Sequence, residues 1–158
     1  MQKCRSYSAQ LLVDGDPDTV WIEGAAGYGV GETIFFEIGE VPRIIEIWPG
    51  YQKSDSLHLR NGRPRRLQLS FLGYDPESGA PDYRILTYEV DLIRNYDGDV
   101  PRLPQYIHLS NRDMLHNMEL TELYGLEIAI LSVDHNDGDP DTAISEVTLY
   151  TEGDLVGT

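Results

Sequence analysis

The sequence predicts an all-β domain, built as a sandwich or a barrel. Three observations support this: short apolar runs that partly alternate, turn residues between them at regular spacing, and no long amphipathic stretch. The chain has 158 residues, enough for one domain with a sizeable core. Because no Pro/Ser-rich linker or low-complexity tract divides it, we expect a single domain over residues 1–158.

The strands are predicted where apolar residues recur. In chain order they are Ala9–Val13, Thr33–Ile38, Arg43–Trp48, Leu67–Phe71, Tyr83–Leu92, Gln105–Ser110, Gly125–Val133 and Ile144–Thr151. Alternation is clearest at Leu126, Ile128 and Ile130, whose intervening residues face the other side of a strand. Only Arg112–Leu123 is expected to hold a helical turn or two.

Charge restricts the partners. The formal net charge is -15 and the pI is about 4.4, so nucleic acid and anionic membranes would be repelled. No apolar run is long enough for a bilayer span, so we expect no membrane insertion. The single cysteine, Cys4, has no partner for an intramolecular disulfide.

We expect no signal peptide at the start of the sequence, because Met1 leads directly into polar residues. This leaves a cytoplasmic protein or a module of a longer exported chain. We expect the second: an extracellular, cell-surface or periplasmic module, monomeric as an isolated domain.

An acidic hexapeptide, Asp-Gly-Asp-Pro-Asp-Thr, occurs twice, at Asp14–Thr19 and Asp137–Thr142. Carboxylates crowded into a turn repel one another unless a cation lies between them, and calcium prefers such oxygen ligands. The alternative is that both copies are solvated surface turns. An EF-hand is excluded, because neither copy supplies both Gly at the sixth loop position and Glu at the twelfth.

A second concentration of functional residue types lies between Trp48 and Arg66, where aromatic, amide and basic side chains gather. Sugars are bound by aromatic faces and by polar side chains that reach hydroxyls. This pattern therefore indicates a recognition loop for a polar glycan. Alternatively, Asn61-Gly62 is a hairpin turn, and the arginines pair with surplus acids.

The order of several motifs resembles a known family. Val13–Trp21, Gly27–Ile34 and Ala143–Val147 resemble the discoidin-like, galactose-binding-like jelly-roll β-sandwich of coagulation-factor type C domains and family 32 carbohydrate-binding modules. Gly50–Ser54 and Leu59–Leu67 are similar to the glycan-binding domain associated with bacterial NAD glycohydrolases. No motif of the family matches the stretch between about residue 74 and residue 123.

The resemblance implies a structural calcium and a glycan site. The implied calcium ligands are Leu11, Asp14, Asp16, Thr19, Ser145 and Glu146. The residues expected to contact glycan are Tyr51, Lys53, Asn61, Arg63 and Tyr28. Tyr51 and Lys53 fall within the family-like segment, whereas Tyr28 lies in a Gly-rich loop from which it could cap a ligand.

The sequence shows no catalytic constellation: Cys4 has no neighbouring His, and the four His have no metal-binding spacing. We therefore expect a non-catalytic carbohydrate-binding module that targets a larger protein to glycans. The alternative is a protein-interaction module on the same fold, which would dock through its acidic surface or through the Arg60–Arg66 patch.

Overall fold

The computed structural model describes residues 21–23, 29–39, 42–50, 53–54, 56, 62–92, 104–109, 123–134 and 142–151. These residues form eight strands: β1 (Trp21–Glu23), β2 (Thr33–Glu37), β3 (Ile44–Pro49), β4 (Arg63–Gly73), β5 (Tyr83–Asp91), β6 (Gln105–His108), β7 (Leu123–Asp134) and β8 (Thr142–Tyr150). Among the described residues, no helix has the length and apolarity needed to cross a bilayer.

The strands form two antiparallel sheets of four. One sheet has the order β1-β8-β3-β6, and the other has the order β2-β7-β4-β5. Neighbours within each sheet are mostly distant in sequence; β1, for example, pairs with β8 at Trp21↔Ile144. The predicted all-β class is confirmed.

The core lies between the two sheets and is supplied by the inward residues of each strand. Ile45 and Ile47 of β3, together with Leu69 of β4 and Ile128 of β7, are fully buried. Burying an aliphatic side chain of this size contributes roughly 1.5–3 kcal/mol. The alternation predicted for Leu126–Ile130 therefore exists because one face of β7 packs on the core.

Strand β8 contains an irregularity that places a carboxylate on the outer face. Trp48 pairs with Glu146, but Pro49 pairs with Ile144, so Ser145 is the extra residue of a β-bulge. Because of this bulge, Ile144 and Val147 both belong to the core although their spacing is odd. Glu146, opposite Trp48, faces away from the core.

Several sequence predictions differ from the structure. β4 begins at Arg63 and ends at Gly73, so it is longer than predicted, and β1 was not predicted. The predicted strand Ala9–Val13 lies outside the described residues. Of the expected helical stretch, only Leu123 is described, and it begins β7.

The two ends of the sandwich carry different features. At one, called here the Gly50 end, β3 ends at Pro49 and β8 begins at Thr142. At the other, the Tyr74 end, β4 ends at Gly73 and β7 begins. An extended strand rises about 3.3 Å per residue, so β4 separates the two ends by roughly 35 Å.

Candidate functional site

The Gly50 end is organised around the backbone of Ala143 at the start of β8. The Gly50 amide donates to the Ala143 carbonyl at 2.8 Å, and the Ala143 amide donates to the Gly62 carbonyl at 3.0 Å. Gly50 and Gly62, which both lie within the predicted recognition segment Trp48–Arg66, are therefore hydrogen-bonded to the same residue of β8. Only backbone groups carry this anchor, so it is compatible with varied side chains between Gly50 and Gly62.

Gly50 itself has a backbone conformation that favours glycine. Its φ is 81°, in the left-handed region, where a side chain is strained. The Ser145 hydroxyl, in the bulge of β8, donates to the Gly50 carbonyl at 2.9 Å and is buried. The exit from β3 is thus fixed both by the backbone of Ala143 and by the side chain of Ser145.

The same stretch of β8 also pairs with β1. Trp21 is opposite Ile144 and Glu23 is opposite Thr142. In sequence, Trp21 follows the first acidic hexapeptide after a single residue, and Thr142 is the last residue of the second. The register therefore brings the chain that leaves the first hexapeptide beside the chain that leaves the second.

Two predicted calcium ligands are described, and they are adjacent. Glu146 is only 5 % exposed and Ser145 is fully buried. Within the described part of the chain, no group of three or more His, Cys, Asp or Glu side chains could hold a metal. The other predicted ligands, Leu11, Asp14, Asp16 and Thr19, lie outside the described residues.

Two of the predicted glycan contacts are described, and their surroundings differ. Lys53 is exposed in a turn, whereas Arg63 is 9 % exposed at the start of β4. Burial lowers the pKa of the Arg63 guanidinium, and the charge of Asp134 opposes this effect. Tyr28, Tyr51 and Asn61 lie outside the described residues, so their predicted contacts are untested.

The described arginines of the predicted patch, Arg63, Arg65 and Arg66, are separated by the pleat and bulges of β4, and Arg60 lies outside the described residues. Arg66 donates to Glu89 at 2.7 Å and lies 3.8 Å from Asp91. Arg63 is buried, while Arg65 is exposed. Arg66 therefore pairs with surplus acids, as the alternative to a glycan-recognition role predicted.

A second candidate site lies at the Tyr74 end, where the sequence predicted none. A pocket of about 510 Å³ is lined by Phe35, Glu37, Ile38, Gly39, Tyr74 and Tyr124. The ring centroids of Tyr74 and Tyr124 are 5.1 Å apart, and those of Phe35 and Tyr124 are 6.3 Å apart, both pairs tilted. Tyr124 is therefore the central ring of a three-ring cluster.

The central ring is fixed by Asp82. The Asp82 amide donates to the Tyr124 hydroxyl at 2.7 Å, and this hydroxyl in turn donates to the Asp82 carboxylate. The hydrogen bond to Asp82, followed by desolvation, raises the pKa of Tyr124. Asp82 has φ 63°, a conformation that Asp adopts more readily than most residues.

The outer face of the other sheet holds a third polar and aromatic group, centred on Glu46. Its carboxylate accepts hydrogen bonds from Trp48 Nε1 at 2.9 Å and from the Tyr150 hydroxyl at 3.1 Å. The negative charge of Glu46, with some desolvation, raises the pKa of Tyr106. The half-buried side chain of Trp48 therefore helps to hold the carboxylate of Glu46 in place.

This arrangement of two antiparallel sheets places the protein in the class of discoidin-like jelly-roll β-sandwiches. Over residues 1–150 the chain matches the family described as NAD glycohydrolase translocation F5/8 type C domain, and it belongs to that family. The predicted resemblance is confirmed. A search of the curated proteins finds no match to this chain.

Solved structures agree with this fold. CBM32-3 from a family 31 glycoside hydrolase of Clostridium perfringens superposes with a TM-score of 0.57 at 17 % identity, covering 95 % of this chain and 85 % of that one. Arabinofuranosyltransferase AftD from Mycobacteria superposes with a TM-score of 0.54 at 18 % identity, over 96 % of this chain and 9 % of that one. This chain thus corresponds to a small part of the mycobacterial protein, and the likeness concerns the fold.

Proposed function

We propose that this protein is a non-catalytic carbohydrate-binding module that targets a larger protein to glycans. The observation that carries the proposal is the anchoring of both Gly50 and Gly62 to Ala143. Both ends of the segment that contains Tyr51 and Lys53 are held at the Gly50 end of the sandwich, which supports a single recognition site there. Membership of an F5/8 type C family and the likeness to CBM32-3 support the same function.

The family description also refers to translocation of a NAD glycohydrolase. The proposed role is accordingly that of the targeting part of an exported protein, with any chemistry supplied elsewhere in the parent chain. Under this proposal the module acts outside the cell or at its surface.

A structural calcium at the Gly50 end belongs to the same proposal. Glu146 is a buried carboxylate, and a buried charge is stabilised by donors or by a cation nearby. The bulge at Ser145 alters the direction of the backbone groups next to it, as bulges near binding sites often do. The register of β1 and β8 also supports the proposal, because it joins the exits of the two acidic hexapeptides.

A glycan array in calcium buffer tests the glycan proposal. The wild type should bind a related group of sugars, and Tyr51→Ala or Lys53→Ala should abolish binding while the fold is kept. Tyr83→Ala is the matched control, because Tyr83 is an exposed tyrosine at the Tyr74 end. A well-folded wild type that binds no glycan, or a loss that Tyr83→Ala reproduces, would contradict the proposal.

Calcium is tested separately by thermal melting with and without EDTA. A ligand bound only by the native state stabilises it by about 2.7 kcal/mol at a hundredfold excess over its Kd. Chelation should therefore lower the Tm of the wild type, and Glu146→Gln should be insensitive to EDTA. An unchanged wild-type melt would remove calcium from the proposal and leave glycan binding untouched.

A further inference from the structure

The pocket at the Tyr74 end combines aromatic rings with an exposed carboxylate. Phe35 is 44 % exposed and Tyr74 is 40 % exposed, and both lie against Tyr124, so their rings form one contiguous aromatic surface open to solvent. Glu37 lines the same pocket, and within the described part of the chain no cation pairs with it. The pocket, at about 510 Å³, has the size of a small-molecule site.

The charge around the pocket is negative. Two described arginines on the outer face of this sheet are paired with acids: Arg84 forms a salt bridge with Glu127 at 3.2 Å and donates to Ser70 at 2.6 Å, and Arg66 pairs with Glu89. Asp82 adds a second carboxylate behind Tyr124. A net charge of -15 over the whole chain further favours a cationic ligand over an anionic one.

The hydrogen-bonding groups of the pocket fit a cation better than a polyol. A sugar needs donors and acceptors placed around several hydroxyls. Here the lining side chains offer the carboxylate of Glu37 and the hydroxyl of Tyr74, while the hydroxyl of Tyr124 is already engaged by Asp82. A methylated ammonium needs no donor, because aromatic faces and a nearby carboxylate attract it directly.

From the ring cluster and the exposed carboxylate of Glu37 we infer that this pocket binds a small ligand through a quaternary ammonium group. The methyl groups pack against the rings of Phe35, Tyr74 and Tyr124, and the charge is attracted by the ring faces and by Glu37. The site is distinct from the glycan loop, since it lies at the opposite end of the sandwich and uses none of the same residues.

Choline tests this inference, with 3,3-dimethylbutan-1-ol as a neutral probe of the same shape. In two-dimensional NMR titrations, choline should shift the amides of Glu37, Tyr74 and Tyr124, with an affinity about tenfold higher than that of the neutral probe. Glu37→Gln and Tyr74→Ala should each weaken choline binding about fivefold, whereas Tyr74→Phe should retain it. Tyr106→Ala is the control, because Tyr106 is an exposed tyrosine on the other sheet.

The inference would be overturned by the absence of a choline-dependent shift at these amides, by equal affinity for the neutral probe, or by loss of binding in Tyr106→Ala as well. Binding of a neutral monosaccharide at these amides in place of choline would also overturn it. Sedimentation with phosphatidylcholine vesicles, competed by free choline, would identify a lipid headgroup as the source. Binding of choline without sedimentation would identify a free ligand.

Discussion

Phe35 lies over the backbone of Gly125 so closely that a methyl group on Gly125 would come within 2.3 Å of the ring carbon Cε2. The two residues are diagonal neighbours on β2 and β7, since Phe35 is opposite Glu127 and Glu37 is opposite Gly125. The absence of a side chain at Gly125 thus allows Phe35 to lie along the sheet beside Tyr124. The orientation of one pocket wall is therefore set by a glycine.

Gly125→Ala should destabilise the protein by about 1–3 kcal/mol, because the added methyl group forces the Phe35 ring out of its position. In a Phe35→Ala background the same change should have almost no effect, since the clash is gone. Urea unfolding of the four proteins of this double-mutant cycle measures the coupling. Equal effects of Gly125→Ala in both backgrounds would show that the ring does not occupy this place.

The contact between Tyr124 and Asp82 predicts a loss of stability in alkali. Since the folded pKa of Tyr124 is raised above its ordinary value of 10.0, this contribution is complete below that pH and is lost as pH rises through the folded pKa. Difference titration at 295 nm between the wild type and Tyr124→Phe isolates this phenol. Asp82→Asn should move its pKa back toward the ordinary value; an unchanged pKa would assign the shift to another cause.

Ser145→Ala should lower the free energy of unfolding by about 1–3 kcal/mol, because the carbonyl of Gly50 loses a buried donor. Ser78→Ala is the comparison, since the hydroxyl of Ser78 accepts a hydrogen bond from the Ala80 amide at 3.2 Å in a turn exposed to water, where losing a hydrogen bond costs less than in the interior. Urea unfolding measures both. Similar small effects in the two variants would mean that the hydroxyl of Ser145 does not hold the exit of β3.

The turn between β4 and β5 predicts an acid effect. The Glu77 amide donates to the Asp75 carboxylate at 2.8 Å, and this hydrogen bond lowers the pKa of Asp75 below its ordinary value of 3.8. The stabilisation is present above that pH and is lost as pH falls through the folded pKa. NMR titration of the Asp75 carboxyl checks the shift directly. Asp75→Asn, which keeps an acceptor oxygen, should remove this titration while preserving the turn.

The fold was predictable where one face of a strand is buried, as in β7, since burial produces alternation in the sequence. The first residues of β4 were not, because Pro64 and three arginines are typical of a loop. Here they are accommodated by bulges next to Arg66. Strand β1, with three residues, is too short for any periodic signal.

The sites were less predictable, because they depend on pairs distant in sequence. Nothing local in the sequence indicates that Gly50 and Gly62 share Ala143 as a partner. Phe35, Tyr74 and Tyr124 are brought together only by the order of β2, β7 and β4. One signal did exist: Phe35 and Phe36 are consecutive in a strand, so one of them had to face outward.

The length of β4 sets the distance between the two proposed binding sites. With the proposed glycan loop at one end and the aromatic pocket at the other, both ligands can be held at once without touching. Their separation is set by a rigid strand of 11 residues, rather than by a flexible linker. The domain would then be a cross-bridge of fixed span, joining two surfaces that each carry one of its ligands.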